Sequence, residues 1–142
     1  MITNVSLVTV YVDDIDAAKA FYTEKLGFEL GEDITLSEDF RWCTVHQVDH
    51  PELELALMLP GPPMDDESAG WIRRIMAKGS MHGVGLATDD CRKTFAELTA
   101  RGVEYIQEPA DRPYGVEAVL RDNSGNWLVL VEQKAYTAAD FA

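Results

Sequence analysis

Val8-Thr-Val-Tyr-Val-Asp-Asp14 is an apolar, β-branched run that stops on two carboxylates. The chain repeats it 76 positions later as Val84-Gly-Leu-Ala-Thr-Asp-Asp90. After the first copy, Ile15, Ala18, Phe21, Tyr22 and Leu26 follow at three- and four-residue spacing and end at Gly27; after the second come Phe95, Leu98 and then Gly102. The alternation over residues 5–12 predicts a strand, and the spacing behind it predicts one apolar face of a helix. Asp13 or Asp14 supplies an N-cap oxygen for that helix, and Gly27 suits the left-handed position that ends it. Self-similarity on this scale governs the whole architecture, so it is read before any single residue.

Working outward, strands are expected over Phe28–Leu36, Phe40–Val48 and Glu52–Met58. In Glu52-Leu-Glu-Leu-Ala-Leu-Met58, Leu53, Leu55 and Leu57 share one side and would face the helix. Glu54, Ala56 and Met58 then face whatever the sheet's other side encloses. Pro60-Gly-Pro-Pro63 breaks the pattern, and Asp65–Lys78 reads as a linker helix with acids first and Arg73, Arg74 and Lys78 last, the order that suits a helix dipole. The second half gives a strand over Met81–Ala87, a helix over Cys91–Arg101 and strands over Glu104–Gln107, Val116–Arg121 and Trp127–Glu132, with a turn at Asp122-Asn-Ser-Gly125. Each half is therefore βαβββ. The fold class is α+β: one domain over residues 1–142, with a first module at about 4–60, a linker helix at about 61–79 and a second module at about 80–133. The tail Ala135–Ala142 carries little signal.

Composition narrows the partners. With 25 acidic against 12 basic residues and a formal charge of −13, nothing favours a nucleic-acid or anionic-membrane partner. No apolar run is long enough to span a bilayer and the N-terminus lacks a signal-peptide pattern, so a cytoplasmic protein is expected. Cys43 and Cys91 lie in different halves without CxxC spacing and read as buried free thiols.

V-x-D-D followed by F-Y-x-x-x-L-G-F, used in a doubled βαβββ frame, resembles the vicinal oxygen chelate superfamily, which includes glyoxalase I, extradiol dioxygenases, fosfomycin-modifying enzymes and bleomycin-resistance proteins. Asp122-Asn-Ser-Gly-Asn126 is similar to the family's D-P-x-G-N turn, with Asn123 where Pro is usual. The resemblance spans about residues 4–133 and implies two modules curled into an open barrel around a cavity. It also implies a divalent metal held by the first and last strands of each module. The corresponding positions here are Leu7, Glu54, Gly83 and Val129, of which only Glu54 can ligate. His82 is one residue from the Gly83 position, so it points to the opposite face unless a bulge shifts the strand.

Catalytic groupings are not evident from spacing: no Ser-His-Asp, Cys-His or paired-carboxylate pattern and no phosphate loop. Glu54, on a cavity-facing row, would meet either an arginine such as Arg41 or Arg121 or a bound ligand. Phe40, Trp42, Met58, Met64, Trp71, Tyr114 and Trp127 fall on strands or loops that would rim the cavity. Each of these is also the kind of side chain that fills a core; together with the missing ligands they describe a roomy apolar pocket. The resemblance then points to the family's metal-free, antibiotic-binding branch. That implies a homodimer that needs no cofactor and binds a small aromatic ligand through Leu7, Phe40, Trp42, Glu54, Met58, Trp71, His82, Tyr114, Trp127 and Val129, and an activity that leans away from catalysis. The competing reading is a lyase, isomerase or dioxygenase with a rearranged metal site, using Glu54 and His82 with Glu117 or Glu132.

Overall fold

The computed structural model describes residues 1–141; Ala142, at the end of the predicted tail, lies outside the described residues. The elements run β1 (Leu7–Tyr11), α1 (Ile15–Ala20) continuing into a π-helical turn (Phe21–Lys25), β2 (Glu29–Ser37), β3 (Phe40–Gln47), β4 (His50–Met58), α2 (Asp66–Ala77), β5 (His82–Ala87), α3 (Cys91–Ala100), β6 (Tyr105–Arg112), β7 (Gly115–Arg121), β8 (Trp127–Gln133) and a closing 3-10 turn (Ala138–Phe141). They form two four-stranded sheets of matching order, β1-β4-β3-β2 and β5-β8-β7-β6. Within each sheet the first and last strands of the module pair in parallel and the remaining neighbours pair antiparallel. The βαβββ frame read from the repeat is thus present twice.

The capping carboxylates act as the repeat predicts. Asp14 accepts the Ala17 amide hydrogen and Asp90 that of Lys93, each at 3.0 Å, while Asp65 caps α2 through Ser68 at 2.8 Å. Gly27 and Gly102, with φ of 79° and 88°, take the left-handed positions that end the helical segments. The largest departure from an expected span is in β6, which continues to Arg112, well past Gln107, through Pro109. Proline fits there because β6 is an edge strand with two register shifts, so a missing N–H costs little.

One face of each sheet is covered by helix. Val10, Val12, Cys43, Val45, Leu55 and Leu57 from the first sheet and Ala118, Leu120, Leu128 and Leu130 from the second join Ile15, Ala18, Phe21, Tyr22, Cys91 and Leu98 in one continuous core. Cys43 and Cys91 are free thiols, at 1% and 0% exposure, and burial pushes both up from the usual thiol range.

At the rim of the first sheet, Arg41 forks onto Asp33 at 2.8 and 2.9 Å and reaches Asp16 at 2.8 Å, while Lys19 meets Asp33 at 2.8 Å. Hydrogen bonds from Arg41, then from Lys19, hold the Asp33 carboxyl well below the usual carboxylate range. A lowered carboxylate stabilises the fold above its unfolded value of about 4 and loses that contribution as pH falls through the lower folded value. Asp33→Asn is therefore expected to remove about 1 kcal/mol at neutral pH, the scale of a partly shielded ion pair. It should also flatten the decline in stability below about pH 4. Urea unfolding of both proteins between pH 2.5 and 7 measures this, and parallel curves would contradict it.

The halves are joined unevenly. The β7–β8 turn, Asp122–Asn126, docks onto the first module. The Tyr22 hydroxyl donates to Asp122 Oδ2 at 2.8 Å, Asn126 Nδ2 donates to the Tyr11 carbonyl at 2.7 Å, and Ser124 Oγ donates to Asp13 Oδ1 at 2.9 Å. The topologically equivalent β3–β4 turn has no such partner group, because Leu98 stands 76 positions after Tyr22 and carries no hydroxyl. At that junction a cleft of about 750 Å³ separates His46, Gln47 and His50 from Ala87, Thr94 and Leu98.

Candidate ligand-binding face

Side chains on the helix-free face follow from strand alternation. In β1 the buried Val10 points to the helix, so Leu7, Thr9 and Tyr11 point away from it. Their parallel partners in β4 are Glu54, Ala56 and Met58. In β3, Cys43 and Val45 face the helix and Phe40, Trp42, Thr44 and His46 lie opposite. The open face of the first sheet thus carries five of the ten expected binding residues, Leu7, Phe40, Trp42, Glu54 and Met58. Leu7 is 41% exposed and Phe40 36%, so this apolar row meets solvent in the single chain. Phe40 and Met58 also line a cleft of about 780 Å³ with Leu59, Pro60 and the Asp13–Asp16 capping turn.

Glu54 takes neither of the arginine partners considered for it. Arg41 is committed to Asp33 and Asp16 at the helix side, and the Arg121 guanidinium donates to the Gly79 and Gly125 carbonyls at 2.8 and 3.1 Å. Among the described residues the Glu54 side chain accepts no hydrogen bond and joins no ion pair. Its register partners are Leu7 and His46, and its Oε2 reaches over Gly31, where an added methyl would lie 3.1 Å away. The Thr44 hydroxyl, fully buried, accepts the Glu32 amide hydrogen at 2.9 Å and so fixes the bulged part of β2. Gly31 and Thr44 shape the floor beside Glu54 and were not singled out from sequence. The alternation Trp42, Thr44, His46 was the available signal for Thr44.

In the second sheet Trp127, Val129 and Val131 alternate with the buried Leu128 and Leu130 and share the open face with Glu117 and Val119. A register shift lies in β5: His82 pairs with Trp127, yet Gly85 pairs with Val129. Three steps on one strand oppose two on the other, which is a β-bulge. The bulge is the exception that His82 needs: it sits on the same face as Trp127, its ring edge-on to the indole at 4.8 Å, and the residue paired with Val129 is Gly85, two positions past the Gly83 that the resemblance implies.

The second-sheet candidates do not converge on one spot. Trp127 and His82 stand at one end of the face, and the Trp127 indole N–H is already used on the Gly79 carbonyl at 2.6 Å. Tyr114 lies at the other end, in the β6–β7 turn. Its hydroxyl bonds Glu117 Oε2 at 2.5 Å, and this bond raises the Tyr114 hydroxyl above the usual phenol range. Arg112 closes the group, with Nε 3.8 Å from Glu117 and Nη2 3.2 Å from the Gln107 amide oxygen. A strand that ends at Gln107 does not bring Arg112 to Glu117; the extension of β6 to Arg112 does. Trp71 lies on neither sheet: it is 56% exposed on α2, beneath the Arg74 guanidinium at 4.8 Å.

The family's metal positions can be tested on this donor set. The paired positions present Leu7 with Glu54 and Gly85 with Val129, one carboxylate and no second donor. Divalent metals in proteins take about three or more ligands, so these residues do not fit one. The rearranged set fares no better. Glu132 points to the helix side and accepts the Cys91 amide hydrogen at 2.9 Å, and Glu117 is engaged by Tyr114 and Arg112. Among the described residues no three His, Cys, Asp or Glu side chains gather as a metal site would require.

The chain has close relatives among solved structures and curated proteins. The solved structure of UcmS2 is 46% identical, superposes with a TM-score of 0.86, and the match covers 94% of this chain and 100% of that one. TnmS3, an antibiotic binding protein from Streptomyces sp. CB03234, is 32% identical with a TM-score of 0.74 over 94% of this chain and 98% of its own. YurT, an uncharacterized protein of Bacillus subtilis (strain 168), is 32% identical over 129 residues, 88% of this chain and 95% of that protein. The model of the Glyoxalase/Bleomycin resistance protein/Dioxygenase superfamily matches residues 4–130, and the chain belongs to that family.

Proposed function

We propose that this protein binds and sequesters a bulky aromatic small molecule, an antibiotic or a metabolite of that shape, without a metal and without turnover. The observation that carries this reading is the helix-free face of the first sheet, where Leu7 and His46 flank a Glu54 carboxylate without a partner among the described residues and Trp42, Phe40 and Met58 extend the same face along the strands. Flat apolar side chains offer stacking area, and a carboxylate with no partner of its own is free for a donor or cation on the ligand. The kinship with TnmS3, described as an antibiotic binding protein, supports the same direction. No helix in the described chain is long and apolar enough to cross a membrane, which agrees with action in the cytoplasm.

A homodimer completes the reading. Two open sheet faces, each carrying exposed apolar side chains, can enclose a cleft when the first sheet of one copy meets the second sheet of another. Trp127, Val129, Tyr114 and His82 would then close over the ligand from the partner's side. Protection would come by mass action, so it requires tight binding at cellular ligand levels.

Metal analysis of the purified protein, sedimentation, and titration against a panel of polycyclic aromatic antibiotics and flat dyes, proflavine among them, test this together. The expected result is a dimer without stoichiometric metal that binds at least one panel member at one site per chain. Stoichiometric metal, or turnover of a small substrate with no panel member bound, would overturn it.

A further inference from the structure

The C-terminal segment, which carries no pattern of its own, lies over the half-buried ring of Tyr114 in the second module. Phe141 stacks on Tyr114 with ring centroids 6.4 Å apart and planes inclined by 19°, and Tyr136 meets Phe141 edge-on at 5.5 Å. The segment leaves β8 by a backbone bond from the Lys134 amide to the Tyr114 carbonyl at 2.9 Å, so it starts beside the residue it later covers. Beyond that anchor its polar bonds among the described residues are internal. The Asp140 amide donates to the Thr137 carbonyl and the Thr137 amide donates to Asp140 Oδ2, which folds residues 137–141 into a compact turn. Tyr136 and Phe141 both remain 54% exposed.

This is the arrangement of a replaceable group. Tyr114 is fixed in place by its bond to Glu117, so its ring is a firmly placed surface, whereas Phe141 meets it through ring contacts alone, shared with Tyr136. We propose that the stacking face of Tyr114 is part of the ligand site and that Phe141 occupies it as an internal substitute for an aromatic ligand ring, leaving when the ligand arrives. The inference rests on the aromatic-ligand reading above and adds Tyr136 and Phe141 to the residues that set affinity. A face of a ring accepts one partner at a time, so ligand and tail compete. The apparent affinity is then lowered by the fraction of molecules in which Tyr114 is uncovered. A stacked aromatic pair of ordinary strength leaves roughly a tenth to a third of molecules open, which corresponds to a three- to tenfold loss of affinity.

The experiment compares proflavine binding by the full chain, by the chain ending at Lys134, by Phe141→Ala and by Phe141→Tyr, with circular dichroism confirming that each is folded. The expected result is a three- to tenfold lower Kd for the shortened chain and for Phe141→Ala, and an unchanged Kd for Phe141→Tyr, which still stacks. In the full chain with fluorinated phenylalanine, the Phe141 resonance should move to its solvent-exposed position on saturation with proflavine. Binding by the full chain with the same or weaker affinity after tail removal overturns this inference and leaves the sequestration reading standing. If no form, the full chain included, binds proflavine or any other member of the panel, both readings are overturned.

Discussion

Asp122→Ala is expected to be the most damaging single substitution in the molecule, costing about 3–5 kcal/mol of stability. The Asp122 carboxylate is 6% exposed and accepts four hydrogen bonds at 2.8–2.9 Å, from the Tyr22 hydroxyl, the Ser124 and Asn126 amides and the Asn126 side chain. Alanine leaves all four donors without an acceptor in a site that water enters poorly, and each stranded donor carries a desolvation cost. It also unfastens the β7–β8 turn from the first module, because Asn126 loses the contact that holds it toward the Tyr11 carbonyl. Burial first, and then the Asp122 charge, raise the Tyr22 hydroxyl above the usual phenol range, so it stays a donor at any pH the fold survives. Tyr22→Phe, which removes one donor and strands part of the carboxylate, should cost about 1–3 kcal/mol. Thermal and urea unfolding check both; the alanine variant should melt roughly 10 °C lower. A loss below about 1 kcal/mol for Asp122→Ala would mean that the turn is not what ties the halves together.

The second large effect is expected on binding. Trp42→Ala should weaken the protein for a flat aromatic ligand such as proflavine by roughly 30-fold, about 2 kcal/mol, the scale of a buried aromatic anchor. Trp42 is half-buried on the helix-free face and belongs to no part of the continuous core, so its removal should change the melting temperature little. Glu54→Gln provides the complementary test. It should weaken cationic proflavine while sparing a neutral polycycle of similar size, because amide and carboxylate differ in charge and hardly in shape. Isothermal titration of the three proteins measures both. Unchanged affinity in Trp42→Ala would move the ligand off this face.

The doubled frame, the caps and the division into helix side and open side could all be read from the sequence because they depend on local periodicity. Glu54 was placed on the open face from the alternation of Leu53, Leu55 and Leu57, and its row agrees with that. What escaped the sequence depends on residues far apart in the chain. Nothing local marks the bulge in β5; it exists because His82 pairs with Trp127 and Gly85 with Val129, some 45 positions away. The extension of β6 through Pro109 was hidden for the same reason, since only its edge position makes proline acceptable there. Arg41 is drawn away from Glu54 by Asp33 on β2 and Asp16 on α1, and Arg121 by carbonyls at the end of α2 and in the β7–β8 turn, none of which a count along single strands reveals. The tail carried no signal because two aromatic residues five positions apart acquire meaning only when Tyr114 lies beneath them.

The uneven junction of the two halves has a mechanical consequence. One end is a pivot, riveted by the Tyr22–Asp122 and Asn126–Tyr11 bonds, and the other is a gap of about 750 Å³ with apolar walls. A body tied at one end and open at the other adjusts by swinging. The angle between the two open faces can then vary about the rivet without disturbing either sheet's ladder. In the proposed dimer, a swing within each copy would change how its sheets meet those of its partner, so one pair of clefts could grip rings of more than one thickness.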